Sequence, residues 1–468
     1  MNSSAQQDFL VSNPASTPRR QLGLASAVAA VAGESIAVGI FLTPAGMAKS
    51  LGSPFWLLLV WVAVGILTIC GALTYGELAG RFPRDGGVYI YLLETCGRRV
   101  AFLYGWMCLL VLDPGLTAAL AMGLSSYAAF IIPLSAVLSK LVAILVIWAL
   151  CILNIFSIQI SAAILRWSTW LKLGLLAFLV VWGFSLRLGT WSNFAPFVTQ
   201  RSGSLPLLPA LGAAMVGAFF SFGGWWDVSK ISGEVRDPGH TLPRAMLLGV
   251  TIVTAVYIAV SGVFLYLVPL AKATSDETFV AQAGAVLFGP PGGRFFALIV
   301  VICVFSSLAA LIMSAPRVYY AMAKDGLFLH SVARIHPRFG TPAKAILIQG
   351  VISSLLVAVS SFQQIIAYFI FVAVVFLGLA GAGLFLARRS ANDTKPAFLA
   401  PAYPLPPIVF LLLIALLLVL LAGHSPHEAA LGVFVVLAGV PVYWAFQRKM
   451  PVHDSRAEPR VQQLRRGA

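Results

Sequence analysis

Charge is scarce in this chain, and acid is scarcer than base. Of 468 residues only 16 are Asp or Glu against 31 Lys or Arg, and charged residues make up 10% of the total, where soluble domains carry roughly 25%. Hydrophobic residues reach 60%, above the roughly 45–50% of soluble proteins, so a soluble fold is excluded. Histidines number six and cysteines five. The histidines are scattered without HExxH spacing. Cys70, Cys96, Cys108, Cys151 and Cys303 form no CxxC pair and no cluster with histidine, so no metal site is expected and the cysteines read as small buried hydrophobes. No P-loop, no GxSxG and no paired carboxylates on one helix face occur, which argues against ATP-driven transport within the chain and against an enzyme, and calls for no cofactor. The first 20 residues lack an apolar h-region, so no cleavable signal is read and the first span is expected to act as its own insertion signal.

Long apolar runs fill the remainder. At about 20 residues per crossing, twelve transmembrane helices are expected, near 22–48, 55–79, 100–132, 138–158, 166–187, 208–232, 244–269, 294–321, 343–361, 364–387, 406–423 and 428–447. The fold class is therefore an all-α integral membrane protein in a lipid bilayer. A net charge of +15 can indicate a nucleic-acid partner, but here the basic residues sit between spans. The positive-inside rule accounts for them instead. With a cytoplasmic N-terminus, 24 of the 31 fall on the cytoplasmic side, Lys49, Lys140, Arg187, Arg201, Lys272 and Arg294 fall opposite, and Lys172 lies inside a span. Both termini are expected in the cytoplasm, with polar tails at 1–21 and 448–468, and the membrane is expected to be the cell (inner) membrane.

Two of the spans are interrupted. Residues 31–46 read VAGESIAVGIFLTPAG, which places Gly33, Glu34, Ser35 and Gly39 in an apolar run. A mid-helix glycine costs about 1 kcal/mol relative to alanine and a mid-membrane charge about 2.5–3.5 kcal/mol, so a passive anchor has little reason to carry both. A second interruption, AFFSFGG at 218–224, precedes Trp225, Trp226, Asp227 and Lys230. Two glycine-broken spans in corresponding positions of two halves mark the binding site of a secondary transporter. Segments 33–39 and 220–224 are expected to be distorted and to meet near the membrane centre.

Other polar residues at membrane depth are few. Asp113-Pro114-Gly115 puts an acid at a kink, where it can hydrogen-bond backbone groups the proline frees. Lys172 sits in LRWSTWLKLGLLAFLVVWG, close enough to one end to snorkel to the interface. The stretch between the second and third spans, RFPRDGGVYIYLLETCGRR, alternates tyrosines with apolar residues between basic ends and is expected to lie along the cytoplasmic interface. Spans 11 and 12 carry almost no polar character and read as lipid-facing additions.

The TPAG turn at the first break, the YGEL exit of span 2, DGGVYIYL, FSFGGWW, GEVRDPGHTLPRA and YAMAKDG followed by HPRFGTP occur in that order. With these motifs over 22–450, the chain resembles the amino acid–polyamine–organocation superfamily, within it the L-type amino-acid transporters and bacterial amino-acid permeases. The resemblance implies a LeuT-type 5+5 inverted repeat with broken spans 1 and 6, one repeat over 22–187 and the other over 208–387, plus two extra spans over 406–447. It also implies a substrate site between the broken spans. The family's Gly-Ser-Gly-Ile-Phe corresponds here to Ala37, Val38, Gly39, Ile40 and Phe41, so carboxylate capture would rest on backbone amides at a half-helix N-terminus. The family's Phe-Ala-Tyr-Gly-Gly-Trp corresponds to Phe220, Ser221, Phe222, Gly223, Gly224 and Trp225, with the first aromatic as a lid. Lys172 aligns with a lysine that, in the proton-coupled members and L-type exchangers of the family, resembles a built-in substitute for a sodium ion.

The implied activity is secondary active transport of amino acids by alternating access, sodium-independent, by proton coupling or exchange. Glu34 motivates an alternative, transport of amines or other organocations. Loss of the Gly-Ser pair motivates another, a sensor or scaffold that does not transport. Glu34 at helical spacing would share a face with Ala37, Val38 and Phe41, and either pairs with Lys172 or a freed amide or receives a cationic group of the substrate. No extracellular cysteine near the third span offers a tether for a partner subunit, and the sequence leaves that partner undefined.

Overall fold

A computed structural model describes residues 22–84, 86–156, 158–270, 279–328, 341–389, 396–424 and 426–449. The two tails and the HPRFGTP motif up to Gly340 lie outside the described residues, as do several of the basic residues assigned to the cytoplasmic side. The described chain is helical, because only internally bonded backbone satisfies its N–H and C=O groups away from water. In order the helices are α1 (Leu24–Ser35), α2 (Gly39–Leu51), α3 (Pro54–Arg81), α4 (Val88–Thr95), α5 (Arg98–Met107), α6 (Asp113–Ile131), α7 (Ala136–Phe156), α8 (Ile158–Ser185), α9 (Leu207–Phe222), α10 (Pro238–Leu267), α11 (Phe279–Ser314), α12 (Pro316–Lys324), α13 (Ala343–Val359), α14 (Phe362–Arg389), α15 (Leu405–His424), α16 (Pro426–Leu437) and α17 (Gly439–Lys449).

Among the described residues nine helical stretches are long and apolar enough to cross a membrane, ten when the bent pair α1 and α2 counts as one span. Two of the twelve expected spans fall instead on shorter apolar helices, Trp170–Ser185 within α8 and α13. A 17-residue helix such as α13 reaches only about 26 Å, short of the roughly 30 Å hydrocarbon core.

Local chemistry sets the corners that aim these helices. After α2, Gly52 adopts φ 58° and its N–H returns to the Ala48 carbonyl at 2.9 Å, a left-handed cap that glycine tolerates at no steric cost. Ser53 then caps α3 by accepting from the Trp56 amide, with Pro54 in the first turn, the preferred order at a helix start.

The stretch between α3 and α5 packs against the protein itself. Gly86 (φ 119°) and Gly87 (φ 57°) reverse the chain, and a β-carbon at Gly87 would lie 2.6 Å from the Ser229 hydroxyl. The turn therefore folds α4 inward, where Val88, Tyr89, Ile90, Tyr91 and Leu92 are all buried. The Tyr89 hydroxyl donates to Asp325 at 2.9 Å; burial, and next the Asp325 carboxylate, raise its pKa well above the ordinary tyrosine value.

At the end of α3, buried Glu77 accepts from Arg81 at 2.8 Å, from Arg388 at 2.5 Å and from the Ala400 amide at 2.9 Å. The Arg388 guanidinium stacks 3.6 Å from the Tyr403 ring. The carboxylate thus joins α3, α14 and the segment before α15, with each oxygen partnered as a buried charge requires. Helix α15 is lipid-compatible on one side, where Leu412 and Val419 are exposed, but its Phe410 is wholly buried and meets the Tyr75 ring at 6.1 Å. It packs on the core and is not a purely lipid-facing addition.

Candidate functional site

The two interrupted helices cross. Helix α1 ends at Ser35, residues 36–38 are bent, and α2 leaves at 43°. The Ile36 amide still reaches the Ala32 carbonyl at 2.8 Å, but the Ala37 amide turns to Ser35 at 2.8 Å, so the Gly33 carbonyl loses its helical donor. The second break comes later than expected. Phe220 and Ser221 remain helical to the end of α9 at Phe222, and the turn at 223–226 leads into a 3-10 segment, Asp227–Glu234. Gly224 has φ 99°, and a β-carbon there would lie 3.1 Å from Glu34. Glycine is required at that position by conformation and by space alike. At the other crossing point, a β-carbon at Gly39 would come 2.7 Å from the Ser221 hydroxyl.

Hydroxyls hold the crossing together. Those of Thr43 and Ser221 lie 2.7 Å apart. The Tyr257 hydroxyl of α10 lies 2.7 Å from the Ser35 carbonyl of one break and 2.7 Å from the Ser221 carbonyl of the other. Trp61 and Phe222 pack edge-on or tilted against Tyr257 and each other at 5.1–6.1 Å.

A cavity opens beside the crossing, lined by Gly33, Glu34, Ala37, Gly39, Phe220 and Gly223 among others. The space open to the centre of a water-sized sphere is about 50 Å³, room for a few waters at roughly 10–15 Å³ each. Val38, Ile40, Ser221 and Phe222 are buried and do not line it. The face expected for Glu34, Ala37, Val38 and Phe41 is divided: Glu34 and Ala37 look into the cavity, whereas Val38 and Phe41 are fully buried in protein. The non-helical residues 36–38 shift the helical phase between them. Phe220 stands at the wall, 6.2 Å from the Phe369 ring of α14.

Lys172 is fully buried and does not snorkel. Its ammonium donates to the Gly33 carbonyl at 3.2 Å and to the Ser307 hydroxyl of α11 at 2.5 Å. It thereby supplies the donor that the break removed from Gly33, and both partners line the cavity. Glu34 also acts electrostatically on Lys172. Asp113 follows a π-helical turn, Cys108–Leu112, and accepts from the Tyr319 hydroxyl of α12, not from backbone freed by Pro114. Across from it Lys230 pairs with Asp227 at 2.9 Å. Among the described residues no three His, Cys, Asp or Glu side chains converge as a metal site.

The sequence reading passed over Tyr257 and Ser307. One or two hydroxyls in an apolar run carry no periodic signal, and only the fold brings these two residues to the breaks.

Apolar helices of membrane-crossing length, packed around two crossed breaks and a cavity beside them, define an integral multi-pass membrane protein. The amino acid permease family profile matches residues 22–446, and the chain belongs to that family. It is 29% identical over 434 residues to the serine/threonine exchanger SteT of Bacillus subtilis (strain 168), covering 92% of this chain and 98% of that protein. It is 28% identical over 439 residues to the human cystine/glutamate transporter, covering 92% and 85%. It is also 28% identical over 447 residues to the human large neutral amino acids transporter small subunit 2, covering 91% and 80%.

Proposed function

We propose that the protein is a secondary active transporter of amino acids working by alternating access, independent of sodium and coupled to protons or to exchange. The observation that carries this reading is the Lys172 ammonium on the Gly33 carbonyl at the first break, a fixed cation where a mobile one would otherwise stabilise freed backbone. Amino acids are the substrate class common to the names of the relatives given above. The same reading includes twelve spans in a cell (inner) membrane with both termini cytoplasmic, arranged as two inverted five-span repeats and two additional spans.

In this reading the substrate carboxylate lies at the start of α2. The first turn of a helix leaves N–H groups without intrahelical acceptors, the α2 N-terminus has no side-chain cap, and the helix dipole favours an anion there. The amides of Val38, Gly39 and Ile40 serve even though the Val38 and Ile40 side chains point elsewhere. Glu34 and the carbonyls of the breaks face the α-ammonium. Phe220 closes over the substrate, while Ser221 and Phe222 support the crossing from behind. Lys172 links occupancy to conformation, since its partners Gly33 and Ser307 both border the cavity.

Uptake of labelled amino acids into proteoliposomes tests this. The expected result is uptake without sodium that is lost in Lys172→Ala and kept in Lys449→Ala. A folded protein that takes up no amino acid would leave the sensor or scaffold reading. Competition by decarboxylated amines, with none by amino acids, would leave the organocation reading.

A further inference from the structure

The cavity does not end at the two glycines of the second break. A narrower extension, about 30 Å³ by the same measure, shares Leu116, Phe220, Gly223, Gly224 and Asp227 with it and runs on between α6, α9 and α14. The lining of the extension is mostly apolar, with Leu112, Phe219, Trp226 and Phe369, and it includes three charged residues, Asp113, Lys230 and the shared Asp227. Asp113 is 1% exposed, and the Lys230 and Asp227 side chains are 2% and 10% exposed. Lys230 Nζ lies 2.9 Å from Asp227 Oδ1, an oxygen enclosed in protein. One carboxylate, Asp113, has the Tyr319 hydroxyl as donor. The other, Asp227, lines the shared part of the cavity beside Lys230, and a carboxylate has more acceptor positions than a single ammonium contact takes up.

We infer that this extension is the side-chain subsite, that it takes a short side chain carrying a hydrogen-bond donor, a hydroxyl above all, and that Asp227 is the acceptor that reads it. The inference rests on the amino-acid reading. With the α-carbon at the crossed breaks, a side chain directed past Gly223 and Gly224 enters a space of about 30 Å³, room for roughly two water-sized groups. A hydroxyl there donates to Asp227. An apolar isostere desolvates the same carboxylate without supplying a donor, which a buried acceptor penalises. A side-chain carboxylate meets two acids against one ammonium and is disfavoured by the excess negative charge.

Threonine and valine have nearly the same shape and differ in the hydroxyl, so their binding to purified full-length protein, measured by titration calorimetry, isolates the effect. Threonine is expected to bind about ten- to a hundredfold more tightly than valine. In Asp227→Leu the threonine affinity should fall to that of valine, with the valine affinity kept within about threefold. Should Asp227→Leu fail to fold, Asp227→Asn keeps shape and a carbonyl acceptor but not charge, and should reduce the threonine preference roughly severalfold, since charge-assisted bonds are the stronger ones. Equal binding of threonine and valine by the unaltered protein, or an unchanged preference in a variant that still binds valine, overturns the subsite while leaving the amino-acid reading intact. Absence of binding by any amino acid overturns both.

Discussion

Two lysines are buried near the cavity, and they are held by different kinds of partner. Lys230 sits among carboxylates, 2.9 Å from Asp227 and in the same extension as Asp113. Lys172 is held by neutral dipoles, the Gly33 carbonyl and the Ser307 hydroxyl, with Glu34 as the acid that acts on it. A buried ammonium facing two acids stays an ion, because its loss would strand their charge. An amine between a carbonyl and a hydroxyl has another option: having lost a proton, it can still donate to Gly33 and accept from Ser307. The first arrangement is a structural charge balance. The second can change state with little rearrangement, which is what the coupling role proposed for Lys172 requires.

Replacing each lysine separates the two roles. Lys230→Met leaves Asp113 and Asp227 buried with no cation between them, at a cost of about 3–5 kcal/mol. This is the largest effect expected, visible as a steep fall in melting temperature and in folded yield. Lys172→Ala removes donors from Gly33 and Ser307, which costs about 1–3 kcal/mol, so the protein should fold and retain its crossed breaks while uptake disappears. Comparable destabilisation by the two variants, or transport surviving in Lys172→Ala, would erase the distinction.

The crossing itself should be sensitive to one methyl group. Gly224→Ala places a side chain at φ 99° and against Glu34, and a non-glycine residue in such a conformation costs of order 1–3 kcal/mol. Gly46→Ala, where a β-carbon meets nothing within 4 Å, should by comparison leave the melting temperature unchanged or raise it slightly, as glycine to alanine in a helix does by about 1 kcal/mol. Equal melting temperatures for the two variants would show that the breaks do not need to touch.

The sequence made the charges legible and the geometry between them only partly so. Glu34 and Lys172 stand out because an ionisable residue in an apolar run is expensive. The Gly33–Gly39 and Gly223–Gly224 pairs marked the breaks because glycine is unfavourable inside a helix. Helical phase across 36–38 was not legible, since extrapolating 3.6 residues per turn assumes the helix that the break abolishes; Val38 and Phe41 fell on the wrong face for that reason. The inward turn of α4 was likewise hidden. Gly86 and Gly87 announce a turn, but its direction is decided by Ser229 and Lys230, residues distant in sequence. Asp227 and Lys230 were visible as polar neighbours, whereas their association with Asp113 depends on packing between α6 and the segment after α9.

Glu34 gives the smallest expected effect and the finest test of the comparison between the lysines. It lines the cavity next to Gly33, whose carbonyl holds the Lys172 ammonium. In the proposed reading an acid in that position meets the α-ammonium, which every amino acid carries, and not a particular side chain. Glu34→Gln should therefore weaken binding of threonine and of lysine by the same factor, about tenfold or less, as loss of one charge-assisted contact predicts. The measurement is a pair of affinities on one variant, and their ratio decides it. A loss confined to lysine would mean that Glu34 reads a cationic side chain, and would move the specificity of the site from the Asp227 end of the cavity to the Lys172 end.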